Sequence, residues 1–334
     1  MMARAARLQA PRGAIAVNAV ELREPGPGEV LVRMEACGIC HSDLFVAAQE
    51  RLAVTPLTLG HEGIGRIESL GPGVTGWTAG DRVGMTFLAT TCGTCELCRS
   101  GRERFCAKQT NFGFSLHGAL TEYAIAPAAG LVRVPTNVEA AALAPMCCAG
   151  WTAFGAVREA GLQAGQTVAL FGFGGLGHLA LAVARSKGLR VAVADVSEAK
   201  LEMARAAGAE ITAAGESAGR ILQKEHGGVD AAIVLTGSAG AIPQAFKALK
   251  RLGTLVLVGV SLSQYELPLV DTVVKGLQIR GSYLGPKEDL ESVFALASAG
   301  SLQPHVECHE IGKTPELLEQ MKRGEILGRA VIRF

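Results

Sequence analysis

Cys92-Gly-Thr-Cys95-Glu-Leu-Cys98, seven further residues and then Cys106 bring four thiols into one short polar loop. Two residues between successive cysteines let a turn aim both sulfurs at one point, and zinc takes four such thiolates as a closed tetrahedron. A closed cage steadies a loop but offers no coordination position to a reactant. A second set of metal-type residues lies elsewhere, in Cys40-His41-Ser42-Asp43, Gly60-His61-Glu62 and Cys147-Cys148. Three soft ligands with one open corner make a reactive zinc. Cys40, His61 and one of Cys147 or Cys148 are the candidates. His61 differs from an ordinary core histidine because Gly60 and Gly63 flank it and an acid follows.

The third constellation is Gly172-Phe-Gly174-Gly175-Leu176-Gly177, which follows the apolar Thr167–Phe171 and opens an apolar helix. Asp195 ends the next apolar run, 18 residues beyond Gly177 and near the spacing of a dinucleotide fingerprint. In that pattern the first glycine makes a tight turn and the second admits the pyrophosphate. The third lets the helix pack closely, its positive end facing the phosphates. Asp195 would accept the adenosine ribose hydroxyls and repel a 2′-phosphate. No arginine follows it at once, so NAD is favoured over NADP.

These groups need two kinds of scaffold. To about residue 147 the chain is rich in glycine and proline, with short apolar runs such as Val30–Met34 and Gly63–Leu70, and reads as β-rich. From about 149, apolar strands alternate with Ala-rich helices, which means βαβ units and a parallel sheet. Strands are expected at 167–171, 190–194, 229–235 and 253–259. Helices are expected from the glycine turn through Lys187, over 198–207, after 235 as far as Arg251, and near 288–299. The tail Ala330–Phe334 is expected to rejoin the first domain. The boundaries are therefore 1–148 with 279–334, and 149–278.

The chain has 334 residues, 49% of them hydrophobic and 19% charged, with net charge +1. That supports two ordinary cores and argues against a nucleic-acid partner. No apolar run is long enough to span a bilayer, and the basic N-terminus lacks a signal core. Cysteine spacing reads as metal ligation, so a reducing cytoplasm is expected.

Cys37-Gly-Ile-Cys40-His-Ser42-Asp43-Leu, Gly60-His61-Glu62-Gly, Gly80-Asp81-Arg-Val83, the four-cysteine loop, the glycine turn and Gly328-Arg329 occur in one order along the chain. Together they resemble the zinc-dependent alcohol dehydrogenases of the medium-chain dehydrogenase/reductase superfamily. The resemblance implies an α/β protein, a Rossmann-type parallel-sheet cofactor domain plus a β-rich GroES-like catalytic domain. It implies two zinc ions per chain, NAD, an alcohol or aldehyde substrate, and a homodimer or homotetramer. It assigns Cys40, His61 and Cys148 to catalytic zinc, because Cys148-Ala-Gly150 matches the family and Cys147 falls one residue early. Cys92, Cys95, Cys98 and Cys106 would hold structural zinc. Asp43 would hydrogen-bond the far nitrogen of His61, Glu62 would stand behind the metal near Arg329, and Ser42 would start the proton relay. Thr152 would back the nicotinamide, and the Val258–Val260 backbone would hold its carboxamide. Lys200 would join Asp195 at the ribose, and Arg329 would meet the pyrophosphate.

One position departs from the pattern. Phe45 stands where many members carry a histidine that passes the proton to solvent. Phe45, Phe87 and Trp151 could line an apolar substrate pocket or be ordinary core aromatics. Competing readings are a polyol, cinnamyl-type or hydroxy-CoA dehydrogenase on the same scaffold, and, from another class, a zinc-ribbon interaction protein.

Overall fold

The alternating half of the chain folds into six parallel strands: β1 (Thr167–Phe171), β2 (Arg190–Asp195), β3 (Ile211–Ala214), β4 (Val229–Val234), β5 (Leu249–Leu257) and β6 (Gln278–Gly281). Their spatial order is 3-2-1-4-5-6, so the order reverses between β1 and β4. That reversal opens a crevice at the carboxyl ends of the strands, where doubly wound sheets take ligands. All five residues of β1 are buried, as a central strand with helices on both faces requires. The structure is a computed structural model that describes residues 1–260 and 264–334.

The chain divides into two compact units, residues 1–149 with 290–334 and residues 150–289. The second boundary falls later than the expected 278/279, because Gln278–Gly281 completes the parallel sheet beside β5. The helix expected to reach Arg251 also ends early. It spans Ala241–Ala248, and the strand begins at Leu249, which pairs with Val229. Strand β3 and the helices Ala218–His226 and Leu269–Lys275 had no clear signal in the pattern.

In the first unit a seven-stranded sheet is centred on Glu29–Gly38, which pairs antiparallel with Gly63–Leu70, Tyr123–Pro127 and Arg329–Arg333. The C-terminal strand thus rejoins the first unit. Register does the positioning. Cys37 lies opposite Gly63, so Cys40 and His61 emerge at the same end of adjacent strands. Val331 lies opposite Gly38, which brings Arg329 to that end too. Beneath them Val30, Val32, Ile39, Leu57, Leu59 and Phe112 form part of a continuous buried cluster. Each such side chain contributes about 1.5–3 kcal/mol by leaving water. No single helix among the described residues is long and apolar enough to cross a membrane.

Candidate active site and metal centres

Cys40 caps the helix His41–Ala47, and Asp43, in its first turn, reaches back to accept the Cys40 backbone N–H at 2.9 Å. The other Asp43 oxygen accepts the Gly60 N–H at 3.2 Å and lies 3.5 Å from His61 Nδ1. One buried carboxylate therefore fixes both segments that carry ligands. Gly60 has φ +95°, and a Cβ there would lie 2.7 Å from Leu120 and 2.9 Å from the Cys37 sulfur. Glycine is needed to turn the chain into His61 at so close an approach.

Ligand atoms of Cys40, His61, Glu62 and Cys148 lie within 4.8 Å of one another. His61 is 1% exposed and neither ring nitrogen makes a hydrogen bond within the protein, Nδ1 having only the 3.5 Å contact with Asp43. A buried imidazole without hydrogen bonds, beside two sulfurs, suits a metal ligand, and the Asp43 carboxylate facing Nδ1 leaves Nε2 as the ligating nitrogen. Cys148, not Cys147, supplies the sulfur. The Cys147 thiol points at the Gly63 and Leu143 carbonyls, away from the cluster, and burial pushes its pKa up.

Glu62 is fully buried. One oxygen accepts the Ala149 N–H at 3.3 Å, and the other pairs with Arg329, whose Nη2 also donates to the Ile39 carbonyl at 3.0 Å. Gly38 makes room, since a Cβ there would run into the Glu62 carboxylate. Burial pushes Glu62 up to about 8, against the pull of Arg329. Cys40 is held well below the ordinary thiol range, first by its hydrogen bond with Cys148, and Cys148 is raised by that same bond and by burial. Burial opposes a charge on His61, yet Asp43 and then Cys40 hold its pKa well above the ordinary imidazole value. All these groups compete for positive charge, so the cluster is complementary to a cation. Zinc fits the donor set of two sulfurs and one imidazole.

The four-cysteine loop fits zinc on geometry. It projects from the hairpin Leu88–Thr90 with Thr110–Asn111 and turns through the short helix Glu96–Arg99. Four of its sulfur–sulfur separations are 3.5, 3.6, 3.9 and 4.0 Å. A tetrahedron with Zn–S bonds of about 2.3 Å has edges of about 3.8 Å. Backbone N–H groups of Thr94 and Cys95 aim at Cys92 and lower its thiol to about 5, which prepares a thiolate.

In the second unit the glycine turn has the three expected properties. Gly172 has φ +99°, a Cβ on Gly174 would meet nothing within 4 Å, and one on Gly177 would run into the Gly172 carbonyl. Gly175 and Leu176 complete the turn into the helix Gly177–Ser186. Asp195 accepts the N–H of Phe173 at 2.7 Å and of Ser197 at 2.9 Å, tying the turn to the end of β2. Each carboxylate oxygen keeps a lone pair for a ribose hydroxyl. Lys200 lies half-buried on the following helix, Glu198–Ala206. Val258 sits at the carboxyl end of β5, its N–H given to Val234, and Val260 is exposed. An open cradle beside Gly174 and a helix N-terminus fit a dinucleotide pyrophosphate.

The expected pocket aromatics separate. Phe87 meets His61 edge-on with ring centroids 5.2 Å apart, beside the ligand cluster. Phe45 is 42% exposed. Trp151 is 2% exposed and donates its indole N–H to the Pro286 carbonyl at 2.9 Å, within the second unit. Thr152, next to it on the helix Ala149–Glu159, is half-buried. Gly38 and the backbone groups of Ile39 and Ala149 also shape the centre, and sequence reasoning missed them because a backbone carbonyl or N–H leaves no residue signature.

Residues 26–136 match the family described as alcohol dehydrogenase GroES-like domain, and residues 175–299 match that described as zinc-binding dehydrogenase. An alcohol dehydrogenase of Geobacillus stearothermophilus is 38% identical over 325 residues, covering 96% of each chain. The chain belongs to the zinc-binding alcohol dehydrogenase family. Members of this family are oxidoreductases of the medium-chain dehydrogenase/reductase superfamily, and Cys40, His61 and the four-cysteine loop lie within the matched residues 26–136. Solved structures include acetophenone reductase of Geotrichum candidum in complex with NAD, which is 27% identical with a TM-score of 0.87 and coverage of 100% of this chain and 97% of that one. A protein of Sinorhizobium meliloti, solved with NADP bound, is 27% identical with a TM-score of 0.89 and full coverage of both chains.

Proposed function

We propose that the protein oxidises primary or secondary alcohols to aldehydes or ketones, and runs the reverse reduction, with NAD and two zinc ions per chain. The observation that carries this reading is the cluster of Cys40, His61 and Cys148 with an unpartnered imidazole nitrogen. Cys40, His61 and Cys148 would hold one zinc, and Cys92, Cys95, Cys98 and Cys106 the other. When bound, zinc supplies Lewis acidity to a hydroxyl and NAD supplies the hydride acceptor. The chain's residues do the rest. Asp43 keeps His61 in the ligating tautomer, and Glu62 with Arg329 supports the cluster from behind. Arg329 is proposed in addition as a pyrophosphate ligand. Ser42, whose Oγ lies 3.8 Å from the Cys40 sulfur, would take the hydroxyl proton and pass it outward.

Asp195 supports NAD over NADP, because its half-buried carboxylate would repel a 2′-phosphate on the ribose. The expected kcat/KM ratio is about 100 or more in favour of NAD, narrowing at least tenfold in Asp195→Ala. An NADH-absorbance screen over primary, secondary, aromatic and polyol substrates with both cofactors tests this. Equal rates with NADP would contradict it, and a preference for polyols would favour the alternative dehydrogenase reading. Phe45 leaves the relay without an imidazole. The pH–rate profile is therefore expected to lack a step near ~6.5, and Phe45→His to introduce one. A wild-type step in that range that survives Phe45 substitution would mean another base serves.

A homo-oligomer is part of the proposal. Among the described residues the edge strand β6 pairs with β5 alone, and Leu269, Val270, Val273 and Val274, shortly before it in the chain, are each more than half exposed. An apolar face next to an open edge suits a second copy of the chain. Nine free cysteines suit a reducing compartment, and the cytoplasm is the proposed location.

A further inference from the structure

The helix Ala149–Glu159 grips the loop Leu284–Asp289 at three points on one face. Trp151 donates its indole N–H to the Pro286 carbonyl at 2.9 Å. Four residues on, Gly155 lies so close that a Cβ would run into the Leu284 carbonyl. Three further, Arg158 donates Nη1 to Asp289 at 3.1–3.2 Å. Positions i, i+4 and i+7 share a helical face. The loop is cut to match. A Cβ on Gly285 would lie 2.5 Å from Asp289 Oδ2 and 3.0 Å from the Trp151 nitrogen.

Leu284 is held in the left-handed region at φ +53° and is 4% exposed. Of the non-glycine residues with positive φ among those described, Arg12 and Leu252 are exposed and Leu284 is buried. A leucine there suffers a clash between its Cβ and the following carbonyl oxygen. Such strain persists where surroundings over-determine it, and it gathers at sites that need a fixed geometry. The loop leaves the carboxyl end of β6. That is the edge of the parallel sheet that also carries Gly172–Gly177 and Asp195.

We propose that Trp151, Gly155 and Arg158 are positioning residues for the dinucleotide. They hold Ser282–Gly285 in one strained backbone state, so that the carboxyl edge presents a preset wall. A loop free to relax would have to be ordered by the ligand, which lowers affinity. The proposal rests on the NAD reading above.

The test uses the zinc-loaded enzyme and calorimetric titration with NADH and NADPH. Trp151→Phe keeps an aromatic ring and removes one N–H donor. It is expected to weaken NADH binding about fivefold, with the loss appearing in KM for NAD more than in kcat. Leu284→Ala and Leu284→Gly both remove the isobutyl group, and only glycine is at ease at positive φ. Leu284→Gly is therefore expected to melt at a higher temperature than Leu284→Ala and to bind NADH more weakly. Unchanged NADH affinity in both Trp151→Phe and Leu284→Gly would overturn the proposal, as would equal melting of the two Leu284 variants. A wild type that binds neither dinucleotide would instead sink the cofactor reading, and the proposal with it.

Discussion

Cys148→Ser is expected to fold, to keep the zinc of the four-cysteine loop, and to lose alcohol oxidation by about a thousandfold or more in kcat/KM. The sulfur sits with Cys40, His61 and Glu62 inside a 4.8 Å cluster, and a serine hydroxyl is a poor zinc ligand beside a thiolate. A thousandfold loss corresponds to about 4 kcal/mol of transition-state stabilisation, a modest share of what a Lewis acid supplies to a hydroxyl. Cys147→Ser is the control. Its sulfur faces the Gly63 and Leu143 carbonyls instead of the cluster, so activity should stay within a few-fold. Steady-state kinetics with metal analysis of both variants decide the point. Equal losses would mean that the pair is a packing unit and not a ligand and its neighbour.

The second large effect concerns the other cage. Cys98→Ser is expected to release its zinc and lower the melting temperature by roughly 10 °C. Structural zinc sites contribute apparent binding free energies of about 10–16 kcal/mol to folding. Retained order elsewhere cuts the net loss to about 5 kcal/mol, worth a few degrees per kcal/mol in a chain of this size. The loop Cys92–Cys106 has little core of its own, since Cys106 and Arg104 are its buried residues. Its ends lead into Asn111 and the fully buried Phe112, and Gly113 packs against the Gly60 backbone beside His61. Calorimetric melting of variant and wild type reads the effect, with a moderate fall in activity because His61 loses support. An unchanged melting temperature after complete loss of this zinc would refute a structural role.

The residues that touch the metals and the cofactor were legible because chemistry restricts their types. Four thiols at cage spacing, a histidine between glycines and a glycine turn after a strand each have few alternative uses. Resemblance was needed to choose Cys148 over Cys147, since adjacent residues differ only in which way the backbone turns them. What escaped is what tertiary contact decides. The run before Arg251 reads as helix, but pairing of Leu249 with Val229 converts its end to strand. The helix Leu269–Lys275 lacks polar contrast because its apolar residues are exposed. The contact of the Trp151 indole with Pro286 has no signature in the sequence, and no sequence pattern marks Leu284 as left-handed.

The most direct test is an anomalous-difference map of the crystallised enzyme, collected on either side of the zinc absorption edge. Two peaks per chain are expected, one among the four cysteines and one within bonding distance of Cys40 Sγ, His61 Nε2 and Cys148 Sγ. A single peak at the four-cysteine loop, in protein grown and purified with zinc, would contradict the account.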